Sequence, residues 1–162
     1  MTKAVIPGTF DPVTSGHMDV IERATAIFDE LVVGVAVSEM KNERGPLFDL
    51  NERIEFLRVA TAHVPQVSVA PFSKLLVDFV REQGATAIVK GLRAMTDFEH
   101  EFQMAALNWR LDRRVETMFI MSAPDYMYLS SSAVKEIAVH GGDLTGLVPP
   151  VVQAALRKRF IA

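Results

Sequence analysis

Short apolar runs and stretches of helical periodicity alternate along this chain almost without a break. Lys3-Ala4-Val5-Ile6 is a strand-length run that stops at Pro7-Gly8. From His17 to Phe28, the residues Val20, Ile21, Ala24, Ile27 and Phe28 fall on one helical face. Leu31 to Val37 is apolar and rich in valine, the pattern of a strand covered on both faces. A polar stretch from Ser38 to Pro46 follows, then a predicted helix from about Asn51 to Ala62. Val67-Ser68-Val69 reads as a third strand, Lys74 to Gln83 as a helix ended by Gly84, and Thr86 to Val89 as a fourth strand. Asp97 to Leu111 carries Phe98, Phe102, Ala105, Ala106 and Trp109 at helical spacing. Thr117 to Met121 is a fifth strand, Ser131 to Val139 a helix, and Pro150 to Phe160 a helix with proline in its first turn.

Strand and helix alternating in this way predict an α/β fold: one doubly wound parallel sheet of five strands with helices on both faces. No repeat, low-complexity tract or linker divides residues 1–162, so the pattern predicts a single domain. Ligands of such sheets bind beyond the carboxyl ends of the strands, where strand order reverses. The loops to inspect are therefore Pro7 to Gly16, Ser38 to Asp49, Lys90 to Thr96 and Ser122 to Ser130.

Composition narrows the function classes. The formal charge of −3 supplies no basic field for a polyanion, which argues against a nucleic-acid partner. Cysteine is absent, which excludes disulfides, thiolate metal sites and a cysteine nucleophile together. The first apolar run is too short for a signal-peptide core and no later one reaches the length of a membrane span. The expectation is a soluble cytoplasmic protein without a membrane partner.

Four stretches hold the unusual polar residues. In the first loop Gly8 leaves room for close backbone approach, and Gly16-His17 sets an imidazole at a helix start, where free amides and the dipole favour anions. The plainer alternative is a histidine that only caps its helix. Lys90-Gly91-Leu92-Arg93 offers two cations beside an uncluttered backbone, suited to phosphate oxygens, or else a solvated turn. Ser130-Ser131-Ser132 enters a helix with hydroxyl and amide donors together, a cradle for phosphates or simply an N-cap. The loop after the second strand carries Lys41 and Arg44 among Glu39 and Glu43. No set of His, Asp and Glu has the spacing of protein metal ligands.

Thr14-Ser15-Gly16-His17, preceded by Gly8-Thr9-Phe10-Asp11-Pro12, resembles the strand-loop-helix opening of the nucleotidylyltransferase superfamily. Lys90 to Ala94, then Asp97-Phe98-Glu99-His100-Glu101, then Asn108, resembles the central block of the phosphopantetheine adenylyltransferases. The serine helix start is also similar, with Lys135 where other branches place an arginine. The resemblance runs from Lys3 to about Phe160. It implies adenylyl transfer from ATP to 4′-phosphopantetheine, giving dephospho-coenzyme A and pyrophosphate, with Mg²⁺ accompanying the phosphates. It further implies a catalytic set of His17, Lys41 and Arg93, and an acceptor side of Thr9, Lys41, Leu76 and Lys90. The implied ATP side is Thr9, Phe10, His17, Gly91, Leu92, Arg93, Glu101 and the run Tyr126, Met127, Tyr128, Leu129, Ser130, Ser131, Ser132. Family members are commonly hexameric, and the apolar positions of the 97–111 helix suit a subunit contact. The loop around Lys41 looks about three residues longer than the family pattern, which leaves Arg44 as a rival for the acceptor phosphate. Two other readings stay open: the same chemistry on another acceptor, such as nicotinamide mononucleotide or glycerol phosphate, and a nucleotide-binding protein without turnover.

Overall fold

A computed structural model describes residues 1–37, 45–93 and 95–160. The strands β1 (Lys3–Gly8), β2 (Glu30–Ala36), β3 (Val67–Phe72), β4 (Ala87–Leu92) and β5 (Glu116–Met121) form one sheet in the order β3-β2-β1-β4-β5. Every neighbouring pair is parallel. The described α-helices are α1 (Ser15–Ala24), α2 (Leu50–Ala60), α3 (Leu76–Glu82), α4 (Met95–Leu111), α5 (Ser131–Val139) and α6 (Pro150–Phe160).

Side chains on successive strand positions point to opposite faces, and here both faces are buried. Ala4, Ile6, Leu31, Val33, Val35, Ala87 and Val89 enter one core, which α1, α2, α5 and α6 close with Ile21, Leu57, Val134 and Leu156 among others. Val5, Val32 and Ile88 enter the other, against Phe79 and Val80 of α3. This is why the central strands are apolar at every position rather than at alternate ones.

The chain winds outward from β1 to β2 and β3, then returns past β1 to β4 and β5. The reversal lies between β1 and β4. Those two strands pair only at Ala4↔Ala87 and Val5↔Ile88, whereas β1 pairs with β2 from Lys3 to Gly8. Beyond Val5 and Ile88 the ladder between them stops, and a crevice opens between their carboxyl halves. Pro7, which lacks an amide donor, sits in the part of β1 that has no partner on the β4 side, where the missing bond is tolerated.

Element boundaries differ from the sequence reading in three instructive places. β1 continues through Pro7 to Gly8, and β4 continues to Leu92, so Lys90 and Gly91 are strand residues rather than the start of a loop. α1 starts at Ser15 and ends at Ala24, leaving Ile27 in the following turn and half-exposed. Among the described residues no helix is long and apolar enough to cross a membrane.

Candidate active site

The crevice between β1 and β4 is a cleft of about 450 Å³. Its walls unite Thr9, Phe10 and His17 with Lys90, Gly91 and Arg93, and with Glu101 of α4 and Leu129, Ser130, Ser131 and Ser132 at the start of α5. These residues lie far apart in sequence and meet because they lie in or beyond the carboxyl halves of the strands around the switch point. Leu76, Leu92, Tyr126, Met127 and Tyr128 are not among its walls. Leu76 packs against the smaller core, Leu92 is buried at the end of β4, and Tyr128 is almost fully exposed. Lys41 and Arg44 lie outside the described residues.

His17 occupies the third position of α1 and completes a capping box with Thr14. The His17 amide donates to Thr14 Oγ1 at 3.3 Å, and the Thr14 amide donates to His17 Nδ1 at 3.0 Å. The imidazole thus takes the place a Glu or Gln usually holds. Nδ1 must carry a lone pair to accept that amide, so the ring proton of the neutral form resides on Nε2. Burial, aided by the nearby Arg93 guanidinium, lowers the His17 pKa from about 6.5 to about 4. At neutral pH the residue is an uncharged donor. Capping and ligand binding, alternatives in sequence, are compatible here because each uses a different nitrogen.

The ring is held from behind by Phe10, whose own ring meets it edge-on with centroids 5.1 Å apart. Phe10 adopts a left-handed backbone, φ 51°, although it is buried and not glycine. Gly8 makes that possible: a Cβ there would stand 2.9 Å from the Phe10 ring. Gly8 therefore serves the placing of Phe10, in addition to lining the cleft.

Both cleft cations are paired with carboxylates of α4. Arg93 Nε donates to Asp97 Oδ2 at 3.1 Å while its NH1 donates to the Leu129 carbonyl at 3.0 Å. Lys90 Nζ lies 3.3 Å from Glu101 Oε2. The pairs hold the cations at the rim and leave further donors on each for an incoming phosphate. Lys90 and Glu101, expected on the acceptor and nucleotide sides respectively, are in direct contact.

The three serines divide their work. Ser130 Oγ caps α5 by accepting from the Ala133 amide at 3.1 Å. The Ser131 hydroxyl donates to the Pro12 carbonyl at 2.8 Å, tying α5 to the first loop. Ser132 is exposed and its hydroxyl has no partner among the described residues. The first-turn amides of α5 add donors that no helical carbonyl can satisfy.

Two residues escaped the sequence reading. Asp11 is buried and accepts from the Leu47 and Phe48 amides at 2.9 Å each, and from Lys135 Nζ at 3.0 Å. Lys135 thereby braces the first loop and is not itself a wall of the cleft. Arg53 is 2% exposed and donates to the Phe48, Thr9 and Ala36 carbonyls. Burial pushes its pKa down from the usual arginine value, with Asp11 and Asp49 opposing. An acidic residue after Phe10 was readable as a loop brace, whereas nothing in the helical pattern marks Arg53 as buried.

No group of three or more His, Asp or Glu side chains among the described residues could hold a metal ion. The cleft carboxylates Asp97 and Glu101 are each occupied by a cation.

Comparison with known proteins agrees with this geometry. A family model described as cytidylyltransferase-like matches residues 5–137. A phosphopantetheine adenylyltransferase of Symbiobacterium thermophilum is 54% identical over 160 residues, covering 99% of this chain and 97% of the relative. The chain belongs to the phosphopantetheine adenylyltransferase family. Phosphopantetheine adenylyltransferases of Heliobacterium modesticaldum and Moorella thermoacetica are each 52% identical over 160 residues, covering 99% of this chain and 94% and 98% of the relatives. A solved structure from Vibrio parahaemolyticus, provisionally described as a nicotinate-nucleotide adenylyltransferase, superposes with a TM-score of 0.72 at 17% identity, covering 98% of this chain and 93% of that one. That likeness concerns the fold alone.

Proposed function

We infer that this protein is the adenylyltransferase that converts ATP and 4′-phosphopantetheine to dephospho-coenzyme A and pyrophosphate. The observation that carries the inference is identity above 50% to phosphopantetheine adenylyltransferases across 99% of the chain. The cleft supports it, since His17, Lys90, Arg93 and the α5 start converge at the switch point.

In this reading an oxygen of the acceptor phosphate attacks the α-phosphorus of ATP, and the bond from that phosphorus to the bridging oxygen of pyrophosphate breaks. The attacking phosphate is already an anion at neutral pH, so the enzyme needs no general base. Catalysis is positioning together with charge stabilisation. His17 donates from Nε2 to an α-phosphate oxygen. Arg93, the Ser132 hydroxyl and the α5 amides hold the departing pyrophosphate. Phe10, Gly91, Leu92, Glu101 and residues 126–131 belong to the nucleotide side, which Thr9 borders as well. Thr9 and Lys41 orient the acceptor phosphate, with Lys90 and Leu76 on the same side. Mg²⁺ travels with the ATP phosphates and offsets their charge.

The reading extends to a homo-oligomer, a hexamer by family analogy, working in the cytoplasm. Exposed apolar residues of α4, including Phe102 and Trp109, support the subunit contact.

Pyrophosphate release measured with ATP and 4′-phosphopantetheine together, against each alone, tests the reaction. Release only with both is the expected result. Faster release with nicotinamide mononucleotide or glycerol phosphate would move the protein to a different acceptor, and nucleotide binding without release would make it a binding protein.

A further inference from the structure

Arg53 has no part in the reaction as read above, yet it is among the largest fully buried side chains in the molecule. Every hydrogen bond it makes among the described residues goes to a main-chain carbonyl. NH1 donates to Thr9 O at 2.7 Å and to Ala36 O at 3.1 Å, and Nε donates to Phe48 O at 3.2 Å. Those three carbonyls belong to three separate segments. Thr9 follows the end of β1, Ala36 is the last residue of β2, and Phe48 precedes the N-cap Asp49 of α2. Among the described residues no carboxylate lies within ion-pair distance of the guanidinium.

Burying a cation against carbonyls alone is a costly way to gain stability, and an apolar side chain of similar volume often serves as well. What the guanidinium supplies is geometry. Its donors are fixed in one plane and reach several acceptors at once, which an ammonium at the end of a flexible stem cannot reproduce. Thr9 is exposed at the cleft wall, and its peptide is one of the three that Arg53 holds. Asp11, two residues on, fixes the far side of the same turn through the Leu47 and Phe48 amides. The turn carrying Thr9 is thus clamped against the end of β2 and the entrance of α2 from below.

We propose that Arg53 is a positioning residue for the acceptor half of the reaction, setting Thr9 against the rim of β2. The proposal rests on the assignment of Thr9 to the acceptor phosphate. The acceptor is the substrate expected to respond most: Thr9 and Phe10 also border the nucleotide, but the rest of the ATP side lies on β4, α1 and the start of α5, none of which Arg53 touches.

The test is steady-state kinetics of wild type, Arg53→Lys and Arg53→Met, with each substrate varied in turn. Arg53→Lys keeps a cation and most of the volume. It is expected to raise the KM for 4′-phosphopantetheine about tenfold, as loss of well-oriented bonds does, and to leave the KM for ATP within about twofold. Arg53→Met should do the same or more. If the methionine variant is insoluble, the lysine variant decides alone. Equal rises in both KM values, or a lowered melting temperature with both KM values unchanged, would overturn the proposal and leave Arg53 a purely structural residue. A wild-type enzyme that adenylylates some other phosphate instead of 4′-phosphopantetheine would refute the substrate reading, and the same KM split with that acceptor would then judge Arg53.

Discussion

At the scale of single residues, His17 shows how one side chain serves the fold and the chemistry together. Its Nδ1 closes a capping box and its Nε2 bears the proton proposed to meet the α-phosphate. The two roles separate by substitution. Glutamine at this position keeps an acceptor for the Thr14 amide, so His17→Gln should stay folded while losing about 10²- to 10³-fold in turnover, the usual loss for one transition-state donor. His17→Ala should lose turnover to the same degree and about 1 kcal/mol of stability with the cap. Near-normal turnover in the glutamine variant would remove His17 from the chemistry. The ring should also fail to titrate near its ordinary value. Its neutral form is favoured in the folded state, with a pKa of about 4, so its contribution to stability is complete above pH 6.5 and is lost as pH falls toward 4. Nitrogen chemical shifts of the ring, followed from pH 7.5 to 4.5, check both the tautomer and the sign. The serines make a second prediction. Ser131 spends its only proton on Pro12, whereas Ser132 is exposed with its hydroxyl unpartnered among the described residues. Calorimetry should find that Ser132→Ala weakens ATP more than AMP, and that Ser131→Ala weakens both alike through the first loop. The reverse pattern would exchange their roles.

At the scale of elements, the sheet was legible because burial on two faces leaves an unbroken apolar run, and β2 matches its run to within a residue. The missed strand ends share a cause. Lys90 and Gly91 look like the end of a strand, since a charge and a glycine interrupt the run. They stay in the ladder against Phe119 and Ile120 because their other side faces the crevice and solvent rather than a neighbouring strand. Arg53 was illegible for a different reason: its partners are peptide carbonyls, which every residue type possesses. The cleft motifs were legible because glycine and paired cations at strand ends have few structural uses. Gly91 nevertheless has one. A Cβ on it would come within 2.9 Å of Val20 Cγ2, so glycine is what lets α1 lie close to β4 and brings His17 beside Arg93. Gly91→Ala should cost about 1–3 kcal/mol through overpacking, and adding Val20→Ala should recover part of it. Urea unfolding of both single variants and the double variant measures the coupling. Additive losses would mean that α1 does not lean on this glycine.

At the scale of the whole molecule, α4 is built inside out. Asp97, Glu101 and Asn108 fall within about 40° of one another around the helix axis, and this polar stripe faces inward, with Arg93 and Lys90 as partners and Asn108 buried. About a quarter turn away, Phe98, Phe102 and Trp109 form an apolar stripe that is 43%, 59% and 45% exposed. Phe98 and Phe102 already meet each other at a tilt, with centroids 5.7 Å apart, and still leave about half of their surface in water. Each large side chain taken out of water is worth about 1.5–3 kcal/mol, so a second subunit covering this stripe would gain several such contributions at once. The helix that would meet the partner is also the one that holds both cleft cations, which ties assembly to the site through one rigid element. Phe102→Lys sets a charge in the middle of the stripe without touching Asp97 or Glu101. Light scattering should then give a smaller particle than wild type, and specific activity should fall on dilution at higher protein concentrations than for wild type. A wild-type mass retained by the variant would show that this stripe is not a subunit contact. A smaller particle with full activity at every concentration would show that α4 holds its carboxylates in place unaided.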